Sequence, residues 1–361
     1  MKPISTVLTL AALLTATVVQ ATEIEVVAEL SNTRPGNLTI TPNNRMILSE
    51  QPLDDPELRV VELMKDGSLQ PFPTLDWADG PDKGEVGFAS VIGVHTTTDG
   101  IVWVLDMGSA TSQAKLVGWD SENNRLVKVI PIETSATVAN SFLQDFAIDE
   151  KRNKVYIADT TLGNLTGATN PAFVVVDLTT GKSRRVLESF PQLMPPKHDI
   201  VIDGSLMGAA REDGTTEAIY LGLNAIVIDN NNDWVYFGTV NGSDLFRIPT
   251  TLLADDKATD NQLAASIELF GQKRPSDGIT IDAKGNIYIG DIENSAVGIV
   301  NKEGYQVLAQ DTQLLSWPDG FVINDAWLYV TQNQLHLTAP LNEGKAQGDK
   351  PYRIVRIKLP Q

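Results

Sequence analysis

Asp277-Gly278-Ile279-Thr280-Ile281-Asp282, followed after two residues by Gly285-Asn286-Ile287-Tyr288-Ile289-Gly290-Asp291, reads as a short strand, a turn and a second strand. The first run alternates apolar and polar residues. The second is rich in β-branched and aromatic side chains, and Lys284-Gly285-Asn286 supplies turn chemistry between them. The pattern recurs. Asp319-Gly320-Phe321-Val322-Ile323-Asn324 precedes Trp327-Leu328-Tyr329-Val330-Thr331, and Asn224-Ala225-Ile226-Val227-Ile228-Asp229 precedes Trp234-Val235-Tyr236-Phe237-Gly238. Gln144-Asp145-Phe146-Ala147-Ile148-Asp149 precedes Lys154-Val155-Tyr156-Ile157-Ala158-Asp159. More degenerate copies start at Ser90 and Gly36, with turns at Asp99-Gly100 and Asn43-Asn44.

Third strands follow most copies, at Gln113–Trp119, Ala172–Leu178, Asp244–Ile248 and Ala296–Asn301. Six such units predict an all-β chain folded as a six-bladed β-propeller, because a sandwich or barrel gives no reason for one strand–turn–strand signature to recur. Glu23–Leu30 is a strand left over before the first copy, and Tyr352–Leu359 alternates well near the end. Pairing these two in the last blade would close the ring and remove an open sheet edge. One domain is expected from residue 22 to 361. The longest gap, between the copies at 144 and 224, holds Leu162–Pro171 and Pro191–Gly222. Both read as long loops, where function often resides.

Met1-Lys2, an apolar run from Val7 to Val19, and Ala21 before a polar boundary describe a secretory signal over residues 1–21. The alternative, a membrane anchor, needs ~20 mostly apolar residues, and this run is shorter and broken by Thr. The expectation is an exported protein, periplasmic or extracellular, with no membrane partner. The chain has no cysteine, which excludes disulfides and thiolate chemistry. Its formal net charge of −18 argues against nucleic-acid binding. No Gly-x-Ser-x-Gly elbow, His-Glu-x-x-His helix or phosphate-binding loop is present.

In a propeller the first strand of each unit lines a central channel. The residues heading the six units are Gly36, Ser90, Gln144, Asn224, Asp277 and Asp319. Converging carboxylates and amides suit a hard cation such as Ca²⁺, and a carboxylate there can serve as a base. The competing reading is local: Asp and Asn at strand starts bond to nearby backbone N–H groups, and Asp-Gly is a common turn pair. Asp159 and Asp291 end second strands and are expected to hydrogen-bond between blades. Trp317 is a candidate pocket wall.

The segments Gly87-Phe88-Ala89-Ser90-Val91, Gly222-Leu223-Asn224-Ala225-Ile226, Ser276-Asp277-Gly278-Ile279 and Trp317-Pro318-Asp319-Gly320-Phe321, with their second strands, resemble the yellow/major royal jelly protein family from about residue 85 to 337. The resemblance implies a secreted propeller and, for some members, small aromatic or amine ligands in the channel. It brings Asp319, Asn333 and Leu335 to a ligand pocket. The disulfides of insect members do not carry over to a chain without cysteine. A more distant resemblance is to gluconolactonase and regucalcin-like propellers. It implies a metal site with Asn224 and Asp277 as ligands, Asp277 as base, and substrate contacts at Gln144 or Asp145. The acid expected near Ser90 is missing, and Glu85 is out of register.

Three functions are therefore expected: a small-molecule binder at the channel mouth, a Ca²⁺-dependent lactonase-like hydrolase, or a protein-interaction scaffold.

Overall fold

A computed structural model describes residues 22–83 and 86–360. The signal segment at 1–21 and Glu85 lie outside the described residues. Six four-stranded antiparallel sheets form the blades. Their inner strands are Pro35–Ile40, Val91–Thr96, Leu143–Asp149, Leu223–Ile228, Ile279–Ile281 and Pro318–Asn324. Each contacts the next, and the last returns to the first, so the ring is closed. Blade 6 takes its outermost strand from the N-terminus: Ile24–Leu30 pairs with Tyr352–Lys358, Ile24 opposite Ile357. The propeller and its closure are thus as expected.

The second strands of the blades are buried on both faces because each blade is sandwiched by two others, while outer strands such as Arg125–Pro131 are largely exposed. In the second strand of blade 3, Val155 and Ile157 join the cluster shared with blade 2, built with Leu105, Leu116 and Phe146. Tyr156 and Ala158 point the other way, against Leu223, Val235 and Phe237 of blade 4. A cluster of this kind fills each of the six blade interfaces. The turns take left-handed backbone where the sequence offers Asn or Gly, at Asn44, Gly100, Asn232 and Gly285. Two short helices, Thr250–Leu253 and Asp260–Ala265, are inserted before the outer strand of blade 4.

Two expectations need correction. Asp159 bonds within its own blade: its carboxylate accepts from Phe142 N (2.7 Å) and Ser141 Oγ, and pairs with Arg185. Asp291 likewise accepts from Asn294 N and Tyr305 Oη inside blade 5. The Asp-Gly pairs at the strand heads are not turns. Neither Gly278 nor Gly320 has left-handed backbone. They are glycines because the next inner strand comes too close for a side chain. A Cβ on Gly320 would lie 2.8 Å from Asn37 Cα and 3.0 Å from Gly36 O, and one on Gly278 would overlap the Asp319 carbonyl.

Candidate functional site

Five inner strands carry the same irregularity. Pairing slips between Pro35 and Leu38, Val91 and Val94, Leu143 and Asp145, Leu223 and Ile226, and Pro318 and Phe321. Each slip is a β-bulge, which turns a side chain out of the alternation of its strand. The residue just inside each bulge forms a column at one channel mouth: Gly36, Ile92, Gln144, Asn224 and Asp319, with Asp277 heading blade 5. Ser90 is therefore not in the column. Ile92 holds that place, and Ser90 N instead donates to Asp106 (3.0 Å) on the second strand of its blade.

Over this mouth sits a cap. It comprises the hairpins Val201–Leu206 and Gly208–Ala218 and the 3₁₀ turns Gly163–Leu165, Leu335–Leu337 and Ala339–Leu341. Ile200, Ile202, Met207, Ile219, Leu221, Ile292, Trp317 and Leu341 form its core. Between cap and column lies a cavity of about 260 Å³. Its walls are mostly apolar, including Ile92, Phe142, Leu162, Leu165, Leu221 and Leu335; Gln144, Asn224 and Asp277 form a polar group in the lining, which also holds Gln51, Thr160 and Thr166.

The polar group is unsatisfied. Asp277 Oδ2 accepts from Trp317 Nε1 (2.8 Å), but Asp277 Oδ1 and Gln144 Oε1 are buried with no hydrogen-bond partner among the described residues. The Asn224 amide favours the ionised form of Asp277 without reaching ordinary hydrogen-bond geometry with Oδ1. Burial dominates the carboxyl and pushes it up to about 6; the Asp145 charge adds to this, while Trp317, Asn224 and Lys273 oppose it. Asp319 is raised well above its ordinary value, by burial first and then by the charges of Asp277 and Asp145. Its Oδ2 accepts from Asn333 Nδ2 (2.7 Å). Burial lowers Lys273 to about 7, and its ammonium donates to the carbonyls of Thr239, Gly242 and Arg274.

The sequence candidates thus divide. Gln144, Asn224, Asp277 and Leu335 line one cavity. Trp317 is fully buried and stands behind Asp277 rather than on the wall. Asp319 and Asn333 bond to each other, and Asn333 Oδ1 also accepts from Leu335 N (3.1 Å). Asp145 faces elsewhere in the channel, bonded to His95 Nε2 (2.8 Å), Phe146 N (2.8 Å) and Asn37 Nδ2 (3.2 Å). The His95 contact, the buried Lys273 and most of the apolar wall escaped the sequence reading. The available signal was the Leu residues scattered through the two long loops, Leu162, Leu165 and Leu221.

A Ca²⁺ ion takes about six to eight oxygen ligands, usually with several carboxylates. Here Asp277 is the one carboxylate among the described residues lining the cavity, beside the neutral polar residues Gln51, Gln144, Thr160, Thr166 and Asn224. Among the described residues no group of three or more His, Cys, Asp or Glu side chains is placed to hold a metal. The donor set does not fit a resident Ca²⁺.

A family model described as major royal jelly protein matches residues 89–357. Comparison with curated proteins gave no match. Among solved structures, a luciferin-regenerating enzyme is 11% identical, with a TM-score of 0.55 over 93% of this chain and 95% of that one. Regucalcin from Agrobacterium tumefaciens, a calcium-binding protein, is 14% identical, with a TM-score of 0.54 over 94% and 96%. Virginiamycin B lyase from Staphylococcus aureus, solved with quinupristin, is 12% identical, with a TM-score of 0.51 over 94% and 100%. At these identities the likeness concerns the fold alone. Among the described residues no helix is long and apolar enough to cross a membrane.

Proposed function

The chain belongs to the major royal jelly protein family, and from that membership and the geometry of its channel mouth we propose that it is an exported small-molecule binder whose ligand joins an apolar, aromatic-sized body to a cationic amine. One observation carries the reading: a largely apolar cavity reaches two buried acceptors, Gln144 Oε1 and Asp277 Oδ1, that have no partner among the described residues. A buried acceptor left unpaired costs about 1–3 kcal/mol, which a donor on the ligand recovers. An ammonium also offsets the charge of Asp277, which the Asp145 charge opposes.

The test is calorimetric titration with tryptamine. Binding is expected, with affinity at least tenfold lower in Asp277→Asn, which keeps the shape and loses the charge. The pH dependence has a defined sign. With Asp277 at about 6, its ionised fraction falls as pH drops through that value. Tryptamine affinity should therefore fall about tenfold from pH 7 to pH 5, one unit below the midpoint. In Asp277→Asn it should be flat over that window. Equal affinity in the two proteins, or binding indifferent to pH in both, would sink the proposal.

A second reading, a metal-dependent hydrolase, is favoured only by Asn224 and Asp277 lining one cavity. It requires that Ca²⁺ raise the melting temperature of chelator-treated protein. A ligand at a hundredfold excess over its dissociation constant adds about 2.7 kcal/mol. Since the donor set does not fit the ion, no rise is expected. A rise abolished in Asp277→Ala would displace the binder reading.

A further inference from the structure

A second cavity, of about 220 Å³, lies beside the first on the other side of Trp317, between the Val201–Leu206 hairpin and the end of blade 6. At ~30 Å³ per water it holds roughly seven waters, room for a ligand larger than a simple ion. It is the more polar of the two cavities. Ser316, Gln332, Gln334 and His336 are neutral, polar and below one-tenth exposure, and they lie beside the buried apolar Ile202 and Met207. Asp203 and Asp349 stand exposed at its rim, and no Lys or Arg is among the described residues that line it.

His336 is the unexplained residue. It is 8% exposed, and its Nδ1 is buried without a hydrogen-bond partner among the described residues. Its ring lies flat on Trp317, with centroids 5.9 Å apart and planes 11° from parallel. Burial holds the imidazole well below its usual range, at about 4, so it is neutral at physiological pH. A buried polar nitrogen without a partner is costly to keep unless something satisfies it.

We propose that this cavity is a second ligand site, for a neutral polyhydroxylated molecule such as a sugar or polyol, with His336 as its anchoring hydrogen-bond group. Hydroxyls both donate and accept, matching amide, hydroxyl and neutral imidazole neighbours. The acidic rim disfavours anions, and the nearby Arg34 guanidinium is taken up by Asp54 and by the carbonyls of Gln334 and Gln347. The deep members carry no charge to hold a cation.

The test is NMR of the full chain with labelled histidine imidazoles, titrated with D-glucose, D-mannose, N-acetylglucosamine, myo-inositol and glycerol. There are three histidines, and the His336 signals are those absent from His336→Phe. At least one polyol should shift them saturably. His336→Phe, which keeps a flat ring on Trp317 but removes both nitrogens, should weaken that polyol at least tenfold, as read by calorimetry. Circular dichroism checks that this variant folds, and Ser316→Ala provides a milder second lesion expected to weaken binding in the same direction. Asp277→Asn should leave polyol binding unchanged, which separates this site from the channel pocket. The proposal is overturned if no polyol moves the His336 signals, if His336→Phe binds as well as the parent, or if tryptamine moves those signals and polyols do not.

Discussion

Replacing Gly278 with alanine should destabilise the propeller by about 3 kcal/mol, as read from the guanidinium unfolding midpoint. A Cβ at this position would overlap Asp319 O and stand 2.7 Å from its carbonyl carbon and 3.1 Å from Phe321 Cδ2. The obstacle is backbone, so no rotamer change relieves it. Overpacking of ordinary side chains costs about 1–3 kcal/mol, and a clash with a fixed strand belongs at the top of that range. The inner strands of blades 5 and 6 would have to part where Asp277 and Asp319 head them. Tryptamine affinity should consequently fall along with stability. Gly285→Ala is the control. Gly285 has left-handed backbone with open space around it, so its cost is conformational and nearer 1 kcal/mol. Equal effects at the two glycines would mean that the close approach of the inner strands matters little.

Arg34→Ala should cost at least as much, by a different route. Arg34 is 3% exposed and lies just before the inner strand of blade 1. Its guanidinium donates to Asn333 O, to Gln334 O (2.8 Å), to Gln347 O (3.1 Å) and to Asp54 Oδ2 (2.8 Å), and sits 4.6 Å from the Tyr352 ring centroid. One side chain therefore joins blade 1 to the segment after the second strand of blade 6, which carries Leu335 into the channel pocket. Removing it leaves buried carbonyls unpaired, and breaking such a buried charged network costs about 3–5 kcal/mol. Arg34→Lys should recover less than half, because an ammonium cannot span this fork of acceptors or stack on Tyr352. A loss below about 1 kcal/mol in Arg34→Ala would show that the segment holds itself in place.

The architecture was legible because it is written in a period that survives without coordinates. Strand alternation, turn residues such as Asn44 and Gly285, and a leftover strand at each end are local signals, and they sufficed for a six-bladed ring with its closure. The site was only half legible. Gln144, Asn224 and Asp277 were found by counting back along a repeat, and they do share one cavity. The same counting failed at Ser90, since bulge position is set by pairing across the blade and not by where a polar residue falls. The Asp-Gly pairs invited a turn reading because the real constraint on Gly278 and Gly320 comes from the neighbouring blade. The bond between His95 and Asp145 joins residues 50 positions apart on adjacent blades and has no local signature. The pocket walls come from loops, where sequence carries little periodicity.

The pairing of Ile24 with Ile357 makes the first and last strands of the described residues neighbours. A growing chain accordingly cannot complete blade 6 until its last strand has been made, whatever the other five blades have already formed. Contacts this distant in sequence are slow to form, because the whole intervening loop must be closed first. Once made, they hold the first and last described strands in one sheet, so releasing Tyr352–Lys358 must break strand pairs on both its sides. The same proximity predicts which rearrangement of the gene would be tolerated. Joining residue 22 to residue 360 by a short linker, without residues 1–21, and opening the chain at an exposed turn such as Gly285 would turn this long-range pairing into an ordinary hairpin.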